Sequence, residues 1–348
     1  MRLEWSSHHG DPCLRITGSR RDLERLRIYP TDLVDAARTS ALPPLAGEYF
    51  PESDGSAVSF VPRLPFVSGM SYTVVGSDFD DVDPVTITRP ARDAGECTTR
   101  VVEIHPTANE VPRNLLRCYV QFSHRMSEGF AASHVRVVDA ETGEAIEGAF
   151  LPMEPELWDR ARRRVTVLFD PARIKRGLAP HREIGYPLQV GATVDVVIDG
   201  GFLDSSGRPL VGTHARRYVV GADVRARVDP GAWDIASPPA GTRDALVVRF
   251  DRPLDHALLQ HCLSVVPREP SGRGGGSFAG SVEIPIGEQS WRFTPADAWT
   301  AGEYELVVDT KLEDLAGNSV ARVFDRDLSD RDHVPLASDR VAMEFVVQ

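Results

Sequence analysis

This chain has little of what membrane proteins and nucleic-acid-binding proteins depend on. No run approaches the roughly 20 apolar residues of a membrane helix, and the first residues contain no apolar segment of a signal peptide. Lysine and arginine number 39 against 51 acidic residues, a net charge of −12, whereas nucleic acids and anionic membrane surfaces attract a basic footprint. We therefore expect no nucleic-acid partner, no membrane insertion, and a cytoplasmic location unless an export signal has been removed.

Cysteines are equally sparse. The four of them, Cys13, Cys97, Cys118 and Cys262, are widely spaced, and none forms a C-x-x-C pair. This pattern fits a reducing compartment, or one or two disulfide bridges whose pairing the sequence does not define.

Motifs of common catalytic and nucleotide sites are missing as well. The chain contains no G-x-G-x-x-G, P-loop, H-E-x-x-H or G-x-S-x-G, and the glycine-rich run at 272–277 has no helix signal after it. Two acid–base pairs, His181 with Glu183 and Glu103 with His105, are each two residues apart, which on a strand places both side chains on one face. We predict a non-catalytic protein, with an enzyme site in a cleft between domains as the alternative.

What the chain does contain is many short runs rich in β-branched and aromatic residues, bounded by turn residues. With 28 glycines and 26 prolines, this pattern indicates short strands joined by turns, as in β-sandwiches. Helical candidates are restricted to 21–27, 33–38 and 254–260. The predicted strands include 58–61, 72–75, 118–122, 135–138, 165–169, 194–198, 246–250 and 304–308.

One pattern occurs three times: phenylalanine, any residue, proline, and then a glycine. Such recurrence indicates repeated structural units. In the first and third copies a tyrosine follows the glycine. The copies are Phe60, Pro62, Gly69 and Tyr72; Phe169, Pro171 and Gly191; and Phe293, Pro295, Gly302 and Tyr304.

A second repeated pattern closes the later copies. Asp204 and Gly207 form a D-x-x-G, and Asp314 and Gly317 form another, each a few residues after a strand that ends in aspartate. Aspartate caps turn amides and glycine adopts positive φ. We therefore interpret these aspartates as turn formers and not as catalysts.

The order of these motifs is similar to a known family. Phe122, Ser123 and Met126 precede the second F-x-P, and Phe250 and Leu254 precede the third, which ends in D-x-x-G-N. This order resembles the bacterial Ig-like modules of S-layer and surface proteins, over about two thirds of the chain. The resemblance implies an all-β fold of tandem Ig-like β-sandwich domains, three units with the first divergent, and a binding or structural role. We place the domains at 1–95, 96–222 and 223–348.

The middle copy breaks the repeat. From the phenylalanine of F-x-P to the next glycine there are nine positions in the first copy (60 to 69) and in the third (293 to 302), but 22 in the second (169 to 191). The extra residues lie within 172–190, which we call the insertion. Its basic side chains are Arg173, Lys175, Arg176, His181 and Arg182.

Arginine offers paired donors to carboxylates and phosphates, so the insertion predicts a surface for a protein or a small anionic ligand. The alternative is that its side chains pair with neighbouring acids such as Glu154 or Glu156. As exposed charges, Arg173, Arg176 and Arg182 should tolerate alanine with little loss of stability. Trp158, in the preceding loop, is predicted to join this recognition surface, with covering of the sandwich edge as the alternative.

Ten histidines raise the question of a metal. His105, His124 and His134 are the metal candidates, because all three fall in the second unit. His105 and Pro106, placed ahead of the strand at 120–122, are similar to Ig-like copper carriers, a likeness that implies copper bound by His and Asp, although the amino-terminal histidine of that family is missing. Acidic runs at 78–83 and 325–332 could bind calcium. We expect no cofactor. The alternatives are bound copper or calcium, and a metal-dependent enzyme such as a cyclase or oxidase with its site at the interface of the middle domain.

Overall fold

The computed structural model describes residues 1–8, 11–19, 23, 26–39, 43–52, 55–67, 69–76, 83–90, 97–268, 278–326 and 334–348. Strands dominate these residues and helices are short, so the chain is an all-β protein of tandem Ig-like sandwiches. It divides into two compact units. The first comprises Met1–Thr98 with Met126–Glu128 and Leu203–Pro209, and the second comprises Thr99–Arg125, Gly129–Phe202 and Leu210–Gln348.

The first sandwich consists of a four-stranded sheet in the order β1-β2-β5-β4 and a three-stranded sheet in the order β3-β6-β7. In chain order this is the A-B-E-D and C-F-G arrangement of an immunoglobulin constant-type domain. The first unit was expected to be divergent. Its sequence lacks the early part of the repeated motif, but its strand order is complete. Its strands are β1 (Arg2–His8), β2 (Asp11–Thr17), β3 (Leu26–Pro30), β4 (Gly47–Pro51), β5 (Ala57–Pro62), β6 (Ser71–Gly76) and β7 (Val85–Thr88).

The second sandwich has the same plan with one strand more. Its sheets run β12-β13-β10-β8 and β11-β14-β15-β9, and β9 is parallel to β15, so the start of the domain pairs with both sheets. The strands are β8 (Val101–His105), β9 (Glu110–Pro112), β10 (Arg117–Phe122), β11 (Val135–Asp139), β12 (Leu157–Trp158), β13 (Arg164–Leu168), β14 (Thr193–Ile198) and β15 (His214–Gly221).

The third sandwich repeats the strand order of the first, with sheets β16-β17-β20-β19 and β18-β21-β22. Its core contains side chains from both sheets, including Leu246, Trp291 and Leu306, each fully buried. The strands are β16 (Asp234–Ala236), β17 (Leu246–Arg249), β18 (Leu263–Pro267), β19 (Gly280–Glu283), β20 (Ser290–Pro295), β21 (Gly302–Asp309) and β22 (Arg340–Val347). The predicted domain boundaries at 95/96 and 222/223 stay a prediction.

The F-x-P motif has a partner on the neighbouring strand that the sequence pattern did not reveal. Gly47 pairs with Pro62, and Gly280 pairs with Pro295. A Cβ at either glycine would lie 2.5 Å from the ring of the motif phenylalanine and 2.5 Å from a backbone carbonyl oxygen. The first and third sandwiches therefore need glycine at this position so that the phenylalanine ring can lie across the strand.

The tyrosine after the motif forms a tyrosine corner, in which its hydroxyl binds the backbone just upstream. Tyr72 accepts a hydrogen bond from Val67 N at 2.7 Å, and Tyr304 donates to Thr300 O at 3.0 Å. The second sandwich has no tyrosine at this place, which follows Gly191 and therefore comes just after the insertion.

Helices connect the strands and are short. They are α1 (Val34–Thr39), α2 (Ala131–His134), α3 (Pro171–Ile174), α4 (Ala179–Glu183) and α5 (His256–Leu259), with 3₁₀ turns at Thr31–Leu33 and Pro230–Ala232. The helices predicted at 33–38 and 254–260 are confirmed within a few residues. The prediction at 21–27 is wrong at its end, because Leu26 and Arg27 begin β3. In the part of the chain that is described, no helix has both the length and the apolar composition to cross a membrane.

All four cysteines are free. Cys13, Cys118 and Cys262 are buried and Cys97 is exposed, so the alternative of disulfide bridges is wrong. Burial raises the pKa of Cys118 to about 12 and, helped by Asp309, that of Cys262 to about 11.

Candidate site at the contact between the second and third sandwiches

A carboxylate of the third sandwich reaches into the second. Glu288 lies in the hairpin between β19 and β20, where Gly287 and Glu288 both have positive φ, 95° and 49°. Positive φ is uncommon for a residue with a side chain and tends to mark functional or structurally over-determined positions. Glu288 is fully buried. We call the contact that it makes with the second sandwich the junction.

The Glu288 carboxylate is held by the chain segment that follows His105. The Thr107 amide donates to Oε1 at 2.8 Å and to Oε2 at 2.7 Å, the Thr107 hydroxyl donates to Oε1 at 2.7 Å, and the Ala108 amide donates to Oε2 at 3.1 Å. On the other side of this segment, Tyr218 donates to Pro106 O at 2.8 Å and Arg216 Nε donates to the same oxygen at 3.1 Å. The segment is thus fixed with its amides toward the carboxylate.

Two histidines complete this group. His105 Nδ1 lies 3.1 Å from Glu288 Oε1, and His256 Nδ1 lies 3.6 Å from the same oxygen. The two imidazole rings are stacked, with centroids 3.5 Å apart and planes at 23°. We call His105, His256 and Glu288 the cluster. Among the described residues it is the one group of three or more potential metal-ligating side chains with ligand atoms within 4.8 Å of one another.

The cluster keeps its carboxylate ionised. Burial alone would raise the pKa of Glu288, but the hydrogen bond from His105, the nearby His256 and the hydrogen bonds from Thr107 together lower it to about 2. A buried carboxylate with this many donors is stabilised in its charged form. Glu288 is therefore a negative charge at the junction across the ordinary pH range.

A second polar group lies beside the cluster, since Tyr119 is the strand partner of His105. Tyr119 donates to Asp255 Oδ2 at 2.7 Å, and Arg117 lies 3.6 Å from the same oxygen and also pairs with Glu313. Burial first, and then Asp255, raise the pKa of Tyr119, so its hydroxyl stays protonated as a donor. These pairs add to the joining of the two sandwiches, because Arg117 and Tyr119 belong to β10 and both acids belong to the third sandwich.

The insertion, together with Pro171, forms α3 and α4, and it contacts the third sandwich at residues other than Glu288. Arg173 is buried, and its guanidinium donates to four carbonyl oxygens, those of Glu147, Gly148, Gly185 and Tyr186, at 2.9 to 3.3 Å. The expectation that Arg173 is an exposed charge is wrong. Its donors fix the two ends of the insertion to the loop before β12.

Other insertion residues contact the third sandwich. The Arg176 amide donates to Asp325 Oδ2 at 3.1 Å, and Lys175 Nζ lies 4.4 Å from the centre of the Phe324 ring. Arg225, in the segment joining the sandwiches, pairs with both Asp325 and the Tyr186 hydroxyl. Lys175 and Arg176 thus contact an aromatic ring and an acid of the third sandwich, and in the described part of the chain neither pairs with Glu154 or Glu156.

Of the remaining residues predicted to bind a ligand, some are exposed and others already have hydrogen-bond partners within the chain. Arg182 is exposed, and the Arg176 side chain is 55% exposed. His181 Nδ1 lies 2.6 Å from Arg173 O. Trp158 donates from Nε1 to Glu156 Oε2 at 2.7 Å and packs against Phe122 and Phe202, which corresponds to the alternative of a tryptophan at the sandwich edge.

The structure brings only one of the three predicted metal candidates into the cluster. His105 belongs to it, whereas His124 is exposed beside Ser123 and His134 lies at the end of α2 with Nδ1 2.9 Å from Phe130 O. Of the acidic runs proposed for calcium, residues 78–82 and 327–332 lie outside the described residues.

The turn aspartates are confirmed as turn formers. Asp314 Oδ1 accepts from the amides of Ala316 and Asn318 at 2.9 Å each, and Asp204 Oδ1 accepts from the Ser206 amide at 2.8 Å. Of the acid–base pairs, Glu103 Oε2 lies 3.5 Å from His105 Nε2, whereas His181 and Glu183 lie on α4 and not on a strand.

Sequence reasoning missed Glu288 and its contact with His256. The single local signal for Glu288 is the glycine before it, which indicates a turn and says nothing of a partner about 180 residues away. The contact between Glu288 and the segment at Thr107 exists only in the folded structure.

Comparisons with known proteins found similar solved structures but no matching family. No protein-family model and no curated protein matches this chain. Among solved structures it is similar to native α2-macroglobulin from Escherichia coli spanning domains MG0-NIE-MG1, at 11% identity over 73% of each chain and a TM-score of 0.24. It is also similar to the N-terminal part of the bacterial S-layer protein SbsC, at 12% identity over 72% of this chain and 44% of that chain, with a TM-score of 0.25.

Domains A168–A170 of titin match at 9% identity over 90% of this chain and 92% of that chain, with a TM-score of 0.23. TM-scores this low support no conclusion about function. The assignment of the fold rests on the strands and sheet orders of the chain itself.

Proposed function

We propose that this chain is a non-catalytic structural and binding protein, in which the second and third sandwiches act as one stiff body. The observation that carries the proposal is the fully buried Glu288, which belongs to one sandwich and accepts its hydrogen bonds from the other. Because the carboxylate and its donors are buried, a relative movement that broke these hydrogen bonds without admitting water would leave a buried charge and unpaired amides, which is strongly unfavourable.

The binding part of the proposal concerns the exposed side of the insertion. Arg176 and Arg182 present positive charge in a chain of net −12, and the contacts of Lys175 and Arg176 with the third sandwich hold that surface in one orientation. A surface held in this way binds a protein or a small anionic ligand with less loss of conformational entropy than a free loop.

The enzyme alternative has one observation in its favour, the cluster at the middle-domain interface. Against it, Glu288 is enclosed, and the groove beside the junction is lined by Ala108, Gly287 and Gln289 and not by the three cluster side chains. We therefore rank the structural role first.

Stiffness is testable by distance measurement between the sandwiches. Spin labels at Glu141→Cys and Asp297→Cys, both exposed positions, are placed in a Cys97→Ser background. Pulsed electron resonance should give one narrow distance distribution, and the added Glu288→Ala change should broaden it. A broad distribution in the parent protein would refute the stiff body.

The binding surface has its own test. Citrate and inorganic phosphate are titrated by calorimetry against the parent protein and an Arg176→Ala/Arg182→Ala variant. We expect weaker binding in the variant; equal affinity in both proteins would remove the insertion from the ligand role and leave the stiff body intact.

A further inference from the structure

We propose that the cluster is a binding site for a divalent transition-metal ion of the class that imidazole and carboxylate ligands favour, with Zn²⁺ as the reference case. Two neutral imidazoles and one carboxylate are a donor set used by zinc. This site lies between two sandwiches and does not depend on the proposed binding surface.

The spacing of the ligand atoms fits one ion. His105 Nδ1 and His256 Nδ1 lie 3.1 and 3.6 Å from Glu288 Oε1. Ligands bound at 2.0–2.2 Å in a tetrahedral or octahedral sphere are separated by about 3.0–3.5 Å. These two separations therefore suit ligands of one ion, and the ligand atoms of the three side chains all lie within 4.8 Å of one another.

One of the three atoms has no other role. His256 Nδ1 is buried and has no hydrogen-bond partner among the described residues, since 3.6 Å to Glu288 is too long. Buried polar atoms without a partner are rare, and each one calls for a physical explanation. A metal ion supplies the missing partner.

Neighbouring groups form hydrogen bonds with the side chains that would bind the metal. The amides of Thr107 and Ala108 orient the Glu288 carboxylate. The other nitrogen of His105, Nε2, lies 3.5 Å from Glu103 Oε2. Metal-bound histidines characteristically give their second N–H to a carboxylate of this kind. The amide nitrogen of Gln260 donates to His256 Nε2 at 3.2 Å, so this amide must turn its oxygen toward the ring when His256 binds a metal through Nδ1.

Loading changes two features of the cluster. The metal takes the place of the proton between His105 Nδ1 and Glu288 Oε1, and the neutral imidazole then carries that proton on Nε2, which faces Glu103. The stacked rings, with centroids 3.5 Å apart, must spread, because two imidazoles bound to one ion at roughly 90–110° diverge from it. His256 can move most easily, since it lies at the start of the short helix α5.

The test uses the untagged full chain after removal of metals with a chelator. Calorimetric titration with ZnCl₂ at pH 7.5 should show one equivalent bound. His256→Gln should weaken zinc binding about 100-fold. The matched control His124→Gln, an exposed histidine outside the cluster, should bind zinc like the parent protein.

Absence of stoichiometric uptake, unchanged affinity in His256→Gln, or loss of binding in His124→Gln would each overturn the proposal. If circular dichroism shows that His256→Gln is unfolded, zinc-soaked crystals of the parent protein decide the matter. An anomalous difference peak among the three side chains supports the site, and a peak elsewhere or none overturns it.

Discussion

The second and third sandwiches have a common strand plan but use the segment after F-x-P differently. In the third, nine positions separate Phe293 from Gly302, and the segment turns the chain into β21 and places Trp299 in the core of its own sandwich. In the second, 22 positions separate Phe169 from Gly191, and the added helices contact the neighbouring sandwich. The repeated residues therefore build each sandwich, and the residues that do not repeat join two sandwiches together.

Glu288 extends this comparison to the third sandwich, where a fully buried acid joins it to the second. Glu288→Ala should destabilise the protein by about 3–5 kcal/mol, because the amides of Thr107 and Ala108 lose their buried acceptor. Urea unfolding monitored by tryptophan fluorescence measures the loss. Glu283→Ala, at an exposed position of the same hairpin, should change stability by less than about 0.5 kcal/mol. Equal effects of the two changes would contradict a special role of Glu288.

The glycines opposite the F-x-P prolines test whether the repeat is physical. Gly280→Ala should cost about 3 kcal/mol, because the new methyl group would lie 2.5 Å from the Phe293 ring and from a backbone oxygen. Gly47→Ala should have a similar effect on the first sandwich. Differential scanning calorimetry resolves the two, with Gly212→Ala as a control in open space. A neutral Gly280→Ala would mean that the phenylalanine can move aside at little cost.

Within the insertion, buried and exposed arginines should behave differently. Arg173→Ala should cost about 2 kcal/mol, because four carbonyl oxygens lose a shared donor. Arg182→Ala should be within about 0.5 kcal/mol of the parent protein, since the side chain is exposed. Thermal melts of the two single variants measure both values. Similar losses in both would show that Arg182 also has a structural contact.

The smallest expected effect is chemical and leaves stability unchanged. At pH 8, iodoacetamide should modify Cys97 alone in the folded protein and all four cysteines in urea, because Cys13, Cys118 and Cys262 are buried and a raised pKa keeps Cys118 and Cys262 as thiols. Intact-mass spectrometry counts the modified residues. Rapid modification of Cys118 or Cys262 would indicate that the core of that sandwich opens.

Much of the fold was predictable, because alternating apolar residues and turn residues are local signals. The strand predictions at 118–122 and 194–198 agree with β10 and β14, and Asp314 serves a turn as its spacing indicated. Of the candidate site, only His105 was predicted. Arg173 was misjudged, because a charged residue in a polar run indicates solvent exposure on average and gives no sign of four carbonyl acceptors folded around it.

The sequence by itself determined the class of fold, the number of similar units and the place where one unit departs from the repeat, since these depend on residue spacing along the chain. Only the tertiary structure shows which residues that departure contacts, namely those of the third sandwich. Glu288, Thr107 and His105 meet across about 180 residues, and Gly280 is required only because Phe293 lies across it from another strand. Such long-range contacts arise from packing, which no local spacing records.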